Sequence, residues 1–170
     1  MSKRCEGVAT YLPKRLEGGG DKRILALDPA NVCGYAHSDG RTGIFKLKSS
    51  RKAEAPGDRL MRLHDAMAGF LYCTDVIAYE DAGMGAIRNR STQASLNELR
   101  SVIKLFASAY GLGLVEANIK SIKKFATGKG NAEKQDMILA AKERYGFVTD
   151  DDNVADAFWV LKLAEAELCS

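Results

Sequence analysis

The stretch RILALDPANVCGYAHSDGRTGIFKLK, residues 23–48, decides the fold. RILALD is a continuous apolar run typical of a buried strand, and it ends at Asp28 before a proline. CGYAHS predicts a second strand, DGRTG a turn, and the alternating IFKLK a half-exposed third strand. These strands must run antiparallel, because a parallel crossover requires about a dozen residues or more.

Helices and strands alternate in the rest of the chain. TDVIAYED and GLGLVEAN predict a fourth and a fifth strand, and the helices are GDRLMRLHDAMAGFLY, TQASLNELRSVIKLFASAYG, SIKKFATG, NAEKQDMILAAKERYG with Asn131 as its cap, and a last helix from about Asp152 to Glu167. Right-handed crossovers then predict an α/β fold with a five-stranded mixed sheet in the order 3-2-1-4-5 and flanking helices. We expect residues 1–22 to form a flexible N-terminal arm and residues 23–168 one domain.

Composition indicates a globular protein that acts in the cytoplasm. The chain has 170 residues, of which 46% are hydrophobic and 28% charged. No apolar run approaches the roughly 18 residues of a membrane span, and the N-terminus lacks an apolar signal core. The four cysteines form no CxxC pair and the chain has only two histidines, so we expect buried thiols and no zinc motif.

Four carboxylates are candidates for one site. Asp28 and Glu80 each close an apolar strand, and parallel neighbouring strands bring such residues to the same end of the sheet. Asp156 lies among apolar residues of the last helix, and Asp152 is one turn earlier on the same side. Three of the four have an alternative role: Asp28 as a turn residue, Glu80 in a surface salt bridge and Asp152 as a helix cap.

Convergence of these acids without a compensating lysine would be strongly repulsive, and divalent cations would relieve the repulsion. Ligand sets made only of oxygen suit Mg²⁺, for which Mn²⁺ substitutes. A shared carboxylate can bridge two ions about 4 Å apart, an arrangement that serves phosphodiester cleavage. The acids therefore predict a site with two metal ions.

Basic segments flank the acids. Residues 118–134 carry five lysines and one glutamate, and ATGKGNAEK within them combines glycines with Lys129 and Lys134 in a pattern suited to phosphate. Arg88 and Arg90 follow Glu80 in a second basic loop. Lysine and arginine beside an acidic pocket predict a nucleic-acid substrate.

These motifs resemble the RuvC-type Holliday junction resolvases of the RNase H-like superfamily, especially their short phage-associated branch. The resemblance covers about residues 23–166 and rests on RILALDPANVCGYA, VIAYED, IKKFATGKGNAEKQDMILAAKERYG and DDNVADAFWVLKLAE. It implies that Asp28, Glu80 and Asp156 are catalytic metal ligands. It also implies that Lys123 and Lys134 contact DNA phosphates, and that a homodimer makes paired nicks across a four-way junction.

Two positions depart from the family pattern. The family often places a fourth ligand three residues before the last aspartate, which here is Asn153, and we favour Asp152 in that role. The loop after Glu80 lacks the aromatic residue that wedges into the junction. Other hypotheses are an RNase H-like nuclease that cuts RNA/DNA hybrids or flaps, and a catalytically silent junction-binding protein. The helix over 92–109 has an apolar stripe that fits either a dimer surface or a core helix, formed by Leu96, Leu99, Val102, Ile103 and Phe106.

Overall fold

The computed structural model describes residues 7–16, 20–49, 54–55, 57–81 and 89–169. They form one mixed sheet of six strands, which are β1 (Val8–Tyr11), β2 (Ile24–Asp28), β3 (Val32–His37), β4 (Thr42–Lys46), β5 (Val76–Asp81) and β6 (Gly113–Asn118). The helices are α1 (Asp58–Ala68), α2 (Arg90–Tyr110), α3 (Ile119–Thr127), α4 (Lys134–Tyr145) and α5 (Asp152–Leu168), with short 3-10 turns at Lys14–Leu16 and Leu71–Cys73. None of the helices described has both the length and the apolar character needed to cross a membrane.

The sheet has the order β1-β6-β5-β2-β3-β4. The predicted order of the five strands β2 to β6 is confirmed, with β2 parallel to β5 and β5 parallel to β6. The predicted number of strands is wrong, because Val8–Tyr11 adds a sixth strand antiparallel to β6. This strand lies inside the segment that we expected to be a flexible arm, and Leu16 of the same segment is buried in the core.

Helices cover both faces of the sheet. On one face α5 packs across β2 and β3, with α3 and α4 beside it, and Trp159 of α5 is fully buried there. On the other face α1 and α2 pack together over a second apolar cluster. Both faces of β2 are therefore covered, which explains why its sequence is continuously apolar.

The apolar side of α2 belongs mainly to the core of this chain. Leu99, Ile103 and Phe106 are at most 2% exposed, because they pack against β5, β6 and α1. The interpretation of this apolar stripe as a dimer surface is therefore wrong for these three residues. Leu105, on the outer side of the helix, is 69% exposed.

Candidate active site

Asp28 and Glu80 lie side by side at the carboxyl ends of β2 and β5. The register pairs Leu27 with Tyr79, which places the next residues of the two parallel strands, Asp28 and Glu80, next to each other. Side chains alternate along a strand, and Ala26 and Ala78 belong to the cluster beneath α5. Asp28 and Glu80, two residues further on, therefore share that face and are directed toward α5.

A glycine allows the start of α5 to approach this end of the sheet. Gly34 of β3 is paired with Asp28, and a β-carbon at Gly34 would overlap the carbonyl oxygen of Asn153. The first turn of α5 therefore lies directly on the backbone of β3. Asp151 caps the helix, since its side chain accepts hydrogen bonds from the backbone N–H groups of Asn153 and Val154.

The carboxylates of Asp28, Glu80 and Asp156 act on one another electrostatically. Burial raises the pKa of Asp28 well above its usual range, and the charges of Glu80 and Asp156 raise it further. Burial and the charge of Asp156 raise the pKa of Glu80 to about 7. Burial also raises the pKa of Asp156. The structure thus brings three of the four predicted acids to one partly buried place.

Three cations lie close enough to these acids to lower their pKa values. Lys134 lowers the pKa of both Asp28 and Asp156, and Lys123 lowers that of Glu80 and Asp156. The charge of Arg100 also lowers the pKa of Asp28 and of Glu80. These cations come from α2, α3 and α4, three helices whose arrangement only the fold determines.

The fourth predicted acid has a different environment. Asp152 forms an ion pair with Lys134. It does not serve as the helix cap, which is Asp151. The side-chain amide of Asn153 donates a hydrogen bond to Asp151 at 3.1 Å, so this amide helps to hold the cap. Asp152 is therefore linked to the other acids by Lys134, which also lowers the pKa of Asp28 and Asp156.

The remaining predicted DNA-binding residues are exposed or lie outside the described residues. Lys129 is exposed in the connection between α3 and α4, and Arg90 is exposed in the first turn of α2. Arg88 belongs to residues 82–88, outside the described residues, as does most of the loop that lacks an aromatic wedge.

The prediction that Asn131 caps α4 is wrong, because Glu133 caps this helix in a capping box.

Arg100 is a site residue that the sequence analysis missed. It is only 8% exposed, and its guanidinium lies 3.1 Å from the carboxylate of Asp81, which follows Glu80 on the opposite face of β5. One signal was available in the sequence. Arg100 follows Leu99 and precedes Ile103 on the apolar side of α2, where a charged residue requires a buried partner.

The acidic donor set suits hard divalent cations, because all of its ligand atoms are carboxylate oxygens. It is not a closed cage: among the described side chains, only His37, Asp39 and Cys73 have ligand atoms that all lie within 4.8 Å of one another. Ionised carboxylates repel one another, so wider spacing of the three acids is expected until cations draw them together. The residues present therefore fit an oxygen-ligated metal centre.

The raised pKa of Glu80 predicts how stability depends on pH. Its folded-state pKa is about 7 against an ordinary 4.5, so its stabilising contribution is present below the ordinary value and is lost as the pH rises through about 7. In EDTA we expect Glu80 alone to lower the free energy of unfolding by about 2 kcal/mol between about pH 5 and pH 8. Urea denaturation across this range measures the effect.

The variant Glu80→Gln should remove that part of the pH dependence. Glu143→Gln, which makes the same change at an exposed carboxylate on α4, is the matched control and should leave the wild-type slope unchanged. A wild-type slope that persists in Glu80→Gln would contradict the raised pKa.

Three curated relatives are similar to the chain over most of its length, although no protein-family model matches it. Each is named crossover junction endodeoxyribonuclease RuvC. The protein from Caldicellulosiruptor saccharolyticus is 28% identical over 81% of this chain and 89% of its own length. Those from Chlamydia muridarum and Rhodopirellula baltica are both 29% identical, over 85% and 79% of this chain and 91% and 80% of their own lengths.

Solved structures share the fold. The structure described as Thermus thermophilus RuvC in complex with a Holliday junction substrate superposes with a TM-score of 0.70 at 16% identity, covering 84% of this chain and 92% of that one. A second Thermus thermophilus RuvC structure gives a TM-score of 0.65 at 15% identity, covering 83% and 92%. The chain thus shares the α/β fold of these RuvC structures, and its sequence is similar to those of three proteins named RuvC.

Proposed function

We propose that this protein is a metal-dependent endonuclease that resolves four-way DNA junctions by paired phosphodiester cleavage. The observation that carries the proposal is the meeting of Asp28, Glu80 and Asp156, from two neighbouring strand ends and one helix, where burial raises the pKa of all three carboxyls. Buried carboxylates of this kind are stable as anions only when cations neutralise them. The three curated relatives named RuvC supply the substrate class.

Asp28, Glu80 and Asp156 are the proposed metal ligands, and Asp152 is the proposed fourth. Two Mg²⁺ ions, for which Mn²⁺ would substitute, fit carboxylates that are too widely spaced for a single cage. When bound, such ions supply an activated water and stabilise the leaving oxygen of the phosphodiester. For Asp152 to take part, it must exchange its ion pair with Lys134 for a bound cation.

The cations around the site are proposed to position the substrate. Lys123 on α3 and Lys134 on α4 are near enough to the carboxylates to lower their pKa values. Their ammonium groups are therefore placed to bind the phosphate that is cut. Lys129, Arg90 and Arg88 are proposed to contact phosphates farther along the DNA. Arg100 is largely buried and paired with Asp81, and it is proposed to hold the end of β5 in place.

Resolution of a junction requires two cuts, so we propose a homodimer with one active site in each subunit. The exposed side of α2, where Leu105 lies, is the remaining candidate for the dimer contact on that helix. We also propose the phage-associated branch of the family, because IKKFATGKGNAEKQDMILAAKERYG and DDNVADAFWVLKLAE resemble its lysine-glycine segment and its acidic terminal helix.

Substrate competition tests the proposal. Purified protein is mixed with a fluorescently labelled four-way junction and Mg²⁺, and unlabelled four-way junction, RNA/DNA hybrid or flap DNA is added as competitor. We expect paired cuts on opposing strands, inhibited by unlabelled junction and not by the hybrid or the flap. Preferential cutting of the hybrid or the flap would favour another RNase H-like nuclease. Junction binding without any cut in Mg²⁺ or Mn²⁺ would indicate a silent junction-binding protein.

A further inference from the structure

A second group of metal-ligand side chains lies at the opposite end of the sheet from the acids. His37 ends β3, Asp39 is in the turn that follows, and Cys73 ends the 3-10 turn before β5. The ligand atoms of these three residues all lie within 4.8 Å of one another. His37 is paired with Leu25, near the start of β2, whereas Asp28 ends that strand. The group is therefore distinct from the candidate active site.

We propose that His37, Asp39 and Cys73 bind a transition-metal ion of the zinc class. Imidazole nitrogen, carboxylate oxygen and thiolate sulfur together form a donor set that Zn²⁺ prefers and that Mg²⁺ does not. Three protein ligands leave the fourth tetrahedral position for a water molecule. The three ligands line a cleft of about 550 Å³, together with Cys169 and Glu165.

The imidazole of His37 is already oriented for this role. Its Nε2 lies 3.0 Å from the backbone carbonyl oxygen of Cys73, which can only accept a hydrogen bond, so Nε2 carries a proton. Metal-binding histidines usually donate their second ring N–H in this way. The other nitrogen, Nδ1, lies 2.9 Å from a carboxylate oxygen of Asp39. Nδ1 also accepts a hydrogen bond from the backbone N–H of Asp39 at 3.2 Å, and a bound metal ion would take the place of that donor.

Arg41 currently supplies positive charge at two of the three ligands. One guanidinium nitrogen lies 2.6 Å from the Asp39 carboxylate and donates to the Cys73 sulfur at 3.0 Å. The side chain of Arg41 is about half exposed, and it also stacks on the ring of Phe70. Because it is not enclosed, it can leave the ligands. Arg41 and a metal ion therefore compete for the same pair of ligands.

Metal binding would proceed by exchange. The Arg41 guanidinium moves into solvent, the Cys73 thiol gives its proton to water, and bonds form from the metal to sulfur, to Nδ1 of His37 and to Asp39. No electron transfer is involved. The ion would connect the turn after β3 with the segment that leads into β5. The metal-bound protein should therefore unfold at a higher temperature than the metal-free protein. No change in DNA cleavage is required.

Cobalt absorbance tests the site without relying on cleavage. The full-length reduced protein is titrated with Co²⁺ in excess Mg²⁺, which occupies oxygen-only sites, while thiolate-to-cobalt charge transfer is recorded in the near ultraviolet. We expect a charge-transfer band that equimolar Zn²⁺ abolishes. Cys73→Ser should remove the band, and Asp39→Asn should weaken Co²⁺ binding by at least about tenfold. Cys169→Ser, which changes a thiol of the same cleft, should retain the band.

Arg41→Gln provides the opposite prediction, since removal of the competing cation should strengthen Co²⁺ binding by about tenfold. Asp39 and Arg41 are both substantially exposed, so these two variants should fold, as circular dichroism can verify. Absence of the band in both wild type and Arg41→Gln would overturn the proposal. A band that survives Cys73→Ser, or that disappears in Cys169→Ser, would equally overturn it, because the thiolate ligand would then be another cysteine.

Discussion

Cleavage of a four-way junction should fall by at least about 10³-fold when Glu80 is replaced by glutamine. The variant keeps the size of the side chain and removes the charge that would hold a metal ion at the end of β5. The loss corresponds to about 4 kcal/mol of transition-state stabilisation, within the range that metal ions supply to phosphoryl transfer. Asp28→Asn and Asp156→Asn should have effects of the same size, because the three carboxylates are electrostatically coupled.

Binding of the junction should survive these substitutions. Affinity for DNA depends mainly on lysine and arginine contacts with phosphates, and the variants remove negative charge from the site. Gel-shift titration in Ca²⁺ would measure affinity, and single-turnover kinetics in Mg²⁺ would measure cleavage. Equal losses of binding and of cleavage would contradict a catalytic role and would favour a structural one.

Asp151→Asn is the matched control for Asp156→Asn, because Asp151 caps the helix α5 that carries Asp156. Asparagine caps helices about as well as aspartate, so α5 should keep its position and cleavage should stay within a few-fold of wild type.

Asp152→Asn tests the proposed fourth metal ligand independently of the other three. We expect an intermediate loss of about 10- to 100-fold, because Asp152 is paired with Lys134 and is less closely coupled to the other acids.

Gly34→Ala should disrupt the site through a single added methyl group. This group would overlap the carbonyl oxygen of Asn153 and would lie 3.1 Å from the amide nitrogen of Val154. Both atoms belong to the backbone of α5, so the start of the helix must move away from β3. A displacement of about 1 Å at a catalytic group can cost about 100-fold in rate, and overpacking costs about 1–3 kcal/mol of stability. Cleavage kinetics and urea denaturation measure the two effects.

Gly69→Ala provides the corresponding control. A β-carbon at Gly69, just after α1, would lie 3.3 Å from the carbonyl oxygen of Ala66, so a small local adjustment accommodates it. Its φ of −61° is compatible with alanine. We expect near wild-type cleavage from this variant. Wild-type activity in Gly34→Ala would show that the close approach of α5 to β3 does not position the acids.

The sequence was sufficient to predict the meeting of the acids. The apolar runs before Asp28 and Glu80 identified two strands, and right-handed crossovers made those strands parallel neighbours, as the structure confirms. Residue alternation then directs both side chains to the face that α5 covers. Asp156 was predictable because a carboxylate among apolar residues requires a partner. Local pattern and chain topology together determined these features.

Other features depend on contacts between distant segments. The strand Val8–Tyr11 is short and follows charged residues, and its pairing with β6 has no local signal. The ion pair of Lys134 with Asp152 joins two helices whose packing sequence periodicity cannot determine. The apolar stripe of α2 was visible, but an apolar stripe does not reveal whether its own chain or a partner covers it. Tertiary packing decided each of these cases.

Diffraction from crystals soaked in Mn²⁺, with anomalous scattering to locate the ions, tests the proposed metal centre most directly. We predict Mn²⁺ ligated by oxygen atoms of Asp28, Glu80 and Asp156, with a second ion about 4 Å from the first. Soaked crystals of Glu80→Gln should have weaker anomalous peaks at this position. Full-occupancy Mn²⁺ elsewhere, with these three side chains bound to no ion at saturating concentration, would contradict the metal centre and the nuclease function proposed from it.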